Sequence, residues 1–167
     1  MIRSSEVKEK TGIAQGDFAP DFELTDTKGQ KIHLSDYRGK KNVVLVLNRS
    51  LVCPFCRRHM VQMGRDYDEF VKRDAEVIIL GPNSPESFKR TWEIEELKMI
   101  GLSDHDSLVA NSYHQEVKFM RMGRLPALLV LDKKGIIRFL HYGKSMSDIP
   151  ENSRIYQILD EINKQNN

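Results

Sequence analysis

Cysteine is scarce in this chain, with two among 167 residues, and tryptophan occurs once. Two cysteines cannot build the multiple staples of a small disulfide-held scaffold, and a chain this long can bury a full apolar core without them. Long apolar runs are also missing. The longest, such as residues 43–47 and 127–131, fall far short of the roughly 20 residues that a bilayer-crossing helix needs. Neither sign of charge dominates: 26 Lys and Arg stand against 24 Asp and Glu, interspersed along the chain. That balance supplies no basic stripe for nucleic acid. No repeat, low-complexity tract or second domain is visible. Residues 1–16 are polar and charged and lack the apolar stretch of a secretory signal, so the expectation is a cytoplasmic protein. In a reducing compartment a lone cysteine pair points to catalysis rather than to cross-linking.

What the chain does have is concentrated in residues 48–58, Asn-Arg-Ser-Leu-Val-Cys-Pro-Phe-Cys-Arg-Arg. Both cysteines lie here, Cys53 and Cys56, directly after the apolar run 43–47. Met60, Met63, Gly64, Tyr67, Phe70 and Val71 follow at steps suited to one helix face. A strand is expected to end near Asn48 and a helix to begin at the cysteines, with Pro54 at its first position, where a missing N–H costs nothing. Cys53 would then meet unpaired backbone N–H groups and the positive end of the helix dipole, with Arg49, Arg57 and Arg58 nearby. Thiols in such settings ionise well below the free value of about 8.5. Cys56 lies one turn further in, able to close a small ring with Cys53. A reactive outer thiol with an inner partner is the chemistry of thiol–disulfide exchange or peroxide reduction.

Blander readings exist. The pair could be small core hydrophobes. Cys53, Cys56 and His59 could offer three zinc ligands, but a closed site wants four and the other histidines are scattered, so no metal or cofactor is expected. Covalent haem attachment would require His where Arg57 stands.

Along the chain, residues 1–15 read as a loose arm and 16–167 as one domain. Alternation at Phe22 and Leu24, a turn at 26–29 and renewed alternation at 31–34 predict an N-terminal hairpin. Residues 43–47 and 76–80 read as buried strands, separated by the cysteine helix running to about Lys72. Ser84-Pro85 caps a helix extending to about Lys98, with Trp92 packed inside. A short extended piece at 102–104 precedes a short helix from Ser107 to about His114, with Leu108, Val109 and Tyr113 inward. Residues 128–132 and 136–141 form a hairpin across Asp132-Lys-Lys-Gly135. The last helix, about 152–163, sets Ile155, Ile158, Leu159 and Ile162 on one face. This order implies an α/β three-layer sandwich with a central mixed sheet.

A second element of the site is expected at Leu125-Pro126. Pro126 is either a proline opening a strand or a cis proline whose turn brings backbone beside the cysteines. Arg124 is either a solvated loop charge or a cation reaching the sulfur. Phe55 and Leu125 either line a small apolar rim near Cys53 or belong to the core, and Pro54 is expected beside Phe55 at the substrate approach.

Cys53-Pro-Phe-Cys56 after a buried strand, with Leu125-Pro126 opening a later one, resembles the thioredoxin superfamily. Gly16-Asp-Phe-Ala-Pro-Asp-Phe-Glu-Leu, Leu34-Ser-Asp-Tyr-Arg-Gly-Lys and Leu102-Ser-Asp-His-Asp narrow the resemblance to the peroxiredoxins (alkyl hydroperoxide reductase and thiol-specific antioxidant group), over roughly residues 16–162. The resemblance implies a thioredoxin-like fold, Cys53 as peroxidatic cysteine, Cys56 as resolving cysteine, and a Ser50 hydroxyl that bonds thiolate and peroxide. It implies a peroxide as small-molecule substrate and a thioredoxin-like protein reductant, and leaves a homodimer open. Three departures stand out. Peroxiredoxins commonly resolve from a distant cysteine, Val46 replaces a motif proline, and Pro126 stands about where their activating arginine lies, leaving Arg124 or Arg49 to substitute. The alternative is a thiol–disulfide oxidoreductase acting on protein disulfides across Pro126. A third, non-enzymatic reading is a redox sensor or interaction domain using the same pair.

Overall fold

The computed structural model describes residues 12–115, 117–118 and 123–166. Of the arm expected over residues 1–15, residues 1–11 lie outside the described residues. From Gly12 onward the chain is docked: Gly16 N–H donates to the Ile137 carbonyl (2.8 Å) and Phe18 bridges Ile136.

Two short strands, β1 (Glu23–Thr25) and β2 (Lys31–His33), form the expected antiparallel hairpin, followed by a 3₁₀ turn at Leu34–Tyr37. Asp26 holds the hairpin turn by accepting N–H bonds from Lys28 and Gln30 (both 2.8 Å), and Gly29 takes the left-handed conformation there. The central strand β3 (Asn42–Leu47) is buried along its whole length. Helix α1 (Pro54–Arg65) and the short α2 (Tyr67–Val71) lead to β4 (Ala75–Gly81). Next come α3 (Pro85–Ile94), β5 (Ile100–Ser103) and α4 (Leu108–Ser112). A small ribbon, β6 (Val117–Lys118) with β7 (Gly123–Arg124), precedes β8 (Ala127–Leu131), β9 (Ile137–Tyr142) and α5 (Asn152–Gln165).

The main sheet runs β5-β4-β3-β8-β9. Strands β3, β4 and β5 are parallel, while β8 pairs antiparallel with both β3 and β9. Because β3 and β4 are covered on both faces, they carry unbroken aliphatic runs rather than alternation. On one face Val44, Val46, Val77 and Ile79 meet Met60, Met63, Phe88 and Trp92, with the Ile155, Ile158, Leu159 and Ile162 stripe of α5. On the other face Leu45, Leu47, Ile78 and Leu80 meet Val109, Ala110, Tyr113 and the hairpin residues Phe22 and Leu24. The result is the three-layer, thioredoxin-like sandwich with its N-terminal hairpin.

Several local expectations need correction. The cysteine helix does not run unbroken to Lys72, since Asp66 leaves helical geometry (φ −95°, ψ 12°) and its carboxylate is taken by Asn152 Nδ2 (2.9 Å) and Gln62 Nε2 (3.1 Å). The break turns Phe70 into the core and leaves Val71 exposed. Helix α3 stops at Ile94, because Glu96 is left-handed and Leu97 N–H returns to the Trp92 carbonyl (3.1 Å). Trp92 packs as expected and donates from Nε1 to the Met99 carbonyl (2.7 Å). A side chain on Gly101 would put its Cβ 2.5 Å from the indole, so only glycine lets the ring lie on β5. Leu108 faces solvent at 71% exposure, not the core. Its helix starts from Ser107 in the left-handed region (φ 62°), whose side chain makes no capping bond, and the Asp104 carboxylate accepts from Val109 N–H (3.2 Å) and Ala110 N–H (2.8 Å) instead. That rotation sends Val109 and Ala110 inward and Leu108 out.

Candidate functional site

The C-terminal ends of β3, β4 and β5 and the start of β8 lie at one end of the sheet, and the cysteines are there. Asn48 closes β3, with its N–H on the Leu80 carbonyl (2.8 Å) and its Nδ2 on Met60 Sδ (3.5 Å). The loop after it is held by Asn83, whose Oδ1 accepts Leu51 N–H (2.9 Å) and whose Nδ2 donates to Ser50 Oγ (3.5 Å). Leu51 is buried and anchors the loop in the core. Cys53 N–H donates to the Ser50 carbonyl (3.3 Å), and Arg57 N–H donates to the Cys53 carbonyl (2.9 Å), which closes the first turn of α1. Cys53 is therefore the N-cap residue, in extended backbone, with Pro54 at the first helical position.

Cys53 is 2% exposed and Cys56 is fully buried, both as free thiols. The burial of Cys53 is shallow, because Val52 beside it is 80% exposed and Phe55 is 46% exposed. Burial opposes ionisation of Cys53. The backbone N–H groups of Cys56 and Phe55, the Arg49 side chain and the Cys56 thiol outweigh it and hold the pKa below the ordinary thiol value. No full capping hydrogen bond closes from this side chain, so these donors act as a field converging on the sulfur. Cys56 goes the other way. Burial pushes its thiol up to about 11, against the Arg49 and Ser50 backbone N–H groups, and the neighbouring Cys53 charge adds to the rise. One turn of helix thus separates an acidified outer sulfur from an inner one kept protonated.

The remaining expected residues divide. Arg49 stands beside Cys53, whereas Arg124 is committed elsewhere, donating to Ser107 Oγ at the start of α4. Of the two arginines left open by the sequence, Arg49 is the one at the sulfur. The Ser50 hydroxyl accepts Val52 N–H (3.3 Å) and Asn83 Nδ2, and retains its own hydrogen to donate. Pro126 is buried beside the end of β3: Ala127 pairs with Leu47, and the Pro126 carbonyl accepts Gly143 N–H (2.8 Å). No peptide bond is cis among the described residues, so the cis reading is set aside and Pro126 is the proline that opens β8. Pro54 and Phe55 are exposed at the helix start, while Leu125 is buried and does not form an exposed rim.

Two contributors, Asn83 and Gln115, were not singled out in the sequence, and His59 was weighed there only as a zinc ligand. Asn83 sits in Gly-Pro-Asn-Ser-Pro, which reads only as a turn. Gln115 follows a short helix without any pattern, yet its Nε2 donates to the carbonyls of Leu47 (3.1 Å), Asn48 (3.4 Å) and Leu125 (2.9 Å), tying the cysteine loop to the Pro126 segment. His59, on α1 one turn past Cys56, has a buried Nε2 without a hydrogen-bond partner, and burial lowers its pKa to about 4. Among the described residues no group of three His, Cys, Asp or Glu is arranged to hold a metal ion.

A model of the AhpC/TSA family matches residues 15–140 of the chain. The thiol-disulfide oxidoreductase ResA of Geobacillus kaustophilus is 34% identical over 131 residues, covering 78% of this chain and 70% of that protein. The peroxiredoxin Bcp of Escherichia coli is 30% identical over 101 residues, covering 60% and 64% respectively. In three dimensions the crystal structure of the peroxidoxin BcpB from Mycobacterium tuberculosis superposes with a TM-score of 0.76 over 91% of this chain and 97% of that one, at 19% identity, a likeness of fold.

Proposed function

The chain belongs to the AhpC/TSA family, with the thiol-based oxidoreductase chemistry of its Cys53–Cys56 pair, and from that premise we propose that it is a thiol-dependent peroxidase. The observation that carries this reading is the convergence of Arg49 and the first-turn N–H groups on the Cys53 sulfur while Cys56 stays protonated. The Cys53 thiolate attacks the distal oxygen of hydrogen peroxide or an alkyl hydroperoxide. The O–O bond breaks, and the departing hydroxide or alkoxide takes up a proton to leave as water or alcohol. Arg49, the backbone N–H groups and the Ser50 hydroxyl supply donors for the charge that develops on oxygen. Cys53 is left as a sulfenic acid. Cys56 then attacks that sulfur, its thiol proton leaves with the displaced hydroxide as water, and a Cys53–Cys56 disulfide forms. A thioredoxin-like dithiol protein returns two electrons and restores both thiols. Pro54 and Phe55 border the approach to Cys53.

A second reading has its own support. The Cys-Pro-Phe-Cys spacing and the similarity to ResA favour a thiol–disulfide oxidoreductase in which Cys53 attacks a protein disulfide. Stopped-flow mixing of the reduced protein with hydrogen peroxide separates the two. The peroxidase reading expects reaction orders of magnitude faster than a free thiol, abolished by Cys53→Ser, with Cys56→Ser retaining the first step and accumulating sulfenic acid. Slow peroxide oxidation together with fast exchange on protein disulfides would install the second reading instead.

A further inference from the structure

The surface around Cys53 is built for something larger than a peroxide. Val52 and Phe55 leave apolar side chains in solvent on either side of a sulfur that is itself 2% exposed. Exposed apolar groups beside a reaction centre mark a surface awaiting contact. Beyond them lies an open groove along the outer face of α1, lined by Pro54, Arg57, Arg58, Val61, Gln62 and Arg65. Residues 48–65 contain four arginines and no aspartate or glutamate, in a chain whose 26 basic and 24 acidic residues are otherwise mixed. Arg57 is tied to Glu95, just past the end of α3, while Arg58 and Arg65 are exposed and form no ion pair among the described residues, although the charge of Arg65 is felt by the Asp66 carboxylate.

We propose that this apolar patch with its arginine-lined flank is the docking surface for the reductant, a dithiol protein whose active-site rim is acidic. The inference rests on the peroxidase reading for the existence of a reductant, and adds where that reductant binds and what charge it carries. Access argues for a protein occupant. Cys56 lies deeper than Cys53, and a thiol on a folded protein that approaches the Cys53 sulfur must press against the exposed Val52 and Phe55. The partner's thiolate bonds to the Cys53 sulfur as the Cys53–Cys56 bond breaks, and Cys56 leaves and takes a proton. The partner's second thiol then attacks the mixed disulfide and releases Cys53 as thiolate, so the two electrons come from the partner, which ends as a disulfide. Cations flanking the contact steer and orient an acidic partner, an effect that acts on association and weakens with salt.

The test uses full-length protein whose Cys53–Cys56 disulfide has been formed with diamide, so it can be read whether or not peroxide is the natural oxidant. Its reduction is timed with two probes: a thioredoxin whose active-site rim carries carboxylates, and dithiothreitol. The quantity read is the ratio of the two rates. In Arg58→Glu/Arg65→Glu this ratio should fall by about tenfold or more at low salt, and added salt should narrow the gap. Arg58→Lys/Arg65→Lys should retain most of the wild-type ratio. A thioredoxin with its rim carboxylates changed to amides should lose the discrimination. An unchanged ratio in the glutamate variant, or an equal fall with the amide-rim probe, would overturn the proposal. So would a charge-dependent loss confined to oxidation by a fatty-acid hydroperoxide relative to its methyl ester, which would assign the arginines to an anionic small substrate.

Discussion

Arg49 serves both sulfurs with different parts of itself: its guanidinium lies beside Cys53, and its backbone N–H points toward Cys56. Replacing it with methionine keeps the N–H and removes the cation. In Arg49→Met the Cys53 pKa should rise and the peroxide rate at pH 7 should fall by roughly ten- to a thousandfold, read from thiolate absorbance against pH and from stopped flow. In the wild type that rate should climb as pH passes through the lowered Cys53 pKa and then level; in the variant the climb should move to higher pH. The same depressed pKa adds stability to the reduced protein above the unfolded thiol value, and this is lost as pH falls through the folded one. His59 makes an independent prediction. The folded state keeps its imidazole neutral down to about pH 4, whereas an unfolded histidine protonates near 6.5. Between those values the unfolded chain holds the extra proton, so the His59 contribution to stability should be lost as pH drops from 6.5 through 4. Urea midpoints at pH 7 and pH 4.5 should converge in His59→Leu relative to the wild type.

At the scale of elements, the site is an agreement among segments far apart in sequence. Gln115 connects the end of β3 to Leu125, so Gln115→Leu should leave buried carbonyls without a donor and cost roughly 1–3 kcal/mol in urea denaturation, with a slower peroxide step. Local signals read well. The Ser84 cap with Pro85, the hairpin turn at Asp26, the apolar stripe of α5 and the strand-to-helix passage at the cysteines are each written within a dozen residues, and each stands where expected. What stayed illegible depends on distant partners. The break at Asp66 answers to Asn152, 86 residues away. Arg124 is drawn off Cys53 by Ser107, whose left-handed backbone no local pattern announces. Asn83 and Gln115 belong to the site only because the parallel strands bring their ends together.

For the whole molecule, one sheet carries two cores. Leu159 fills the core beneath α1, α3 and α5, and Leu102 fills the one beneath α4 and the hairpin, both fully buried. Leu159→Ala and Leu102→Ala should each cost about 2–5 kcal/mol. Lying on opposite faces, they should add, and the double variant would consume most of the 5–15 kcal/mol typical of a domain. Chemical denaturation of the singles and the pair checks both statements. No helix among the described residues is long and apolar enough to cross a membrane.

Both redox sulfurs belong to a single turn at the head of α1, seated on a loop fastened by Asn83 and Leu51. In the proposed cycle both sulfurs react within that one helical turn. Protein tethered to a bead or an electrode near the close of α5 should then still be oxidised and reduced at the rate of the free protein, which thiol titration of the tethered sample over repeated cycles checks.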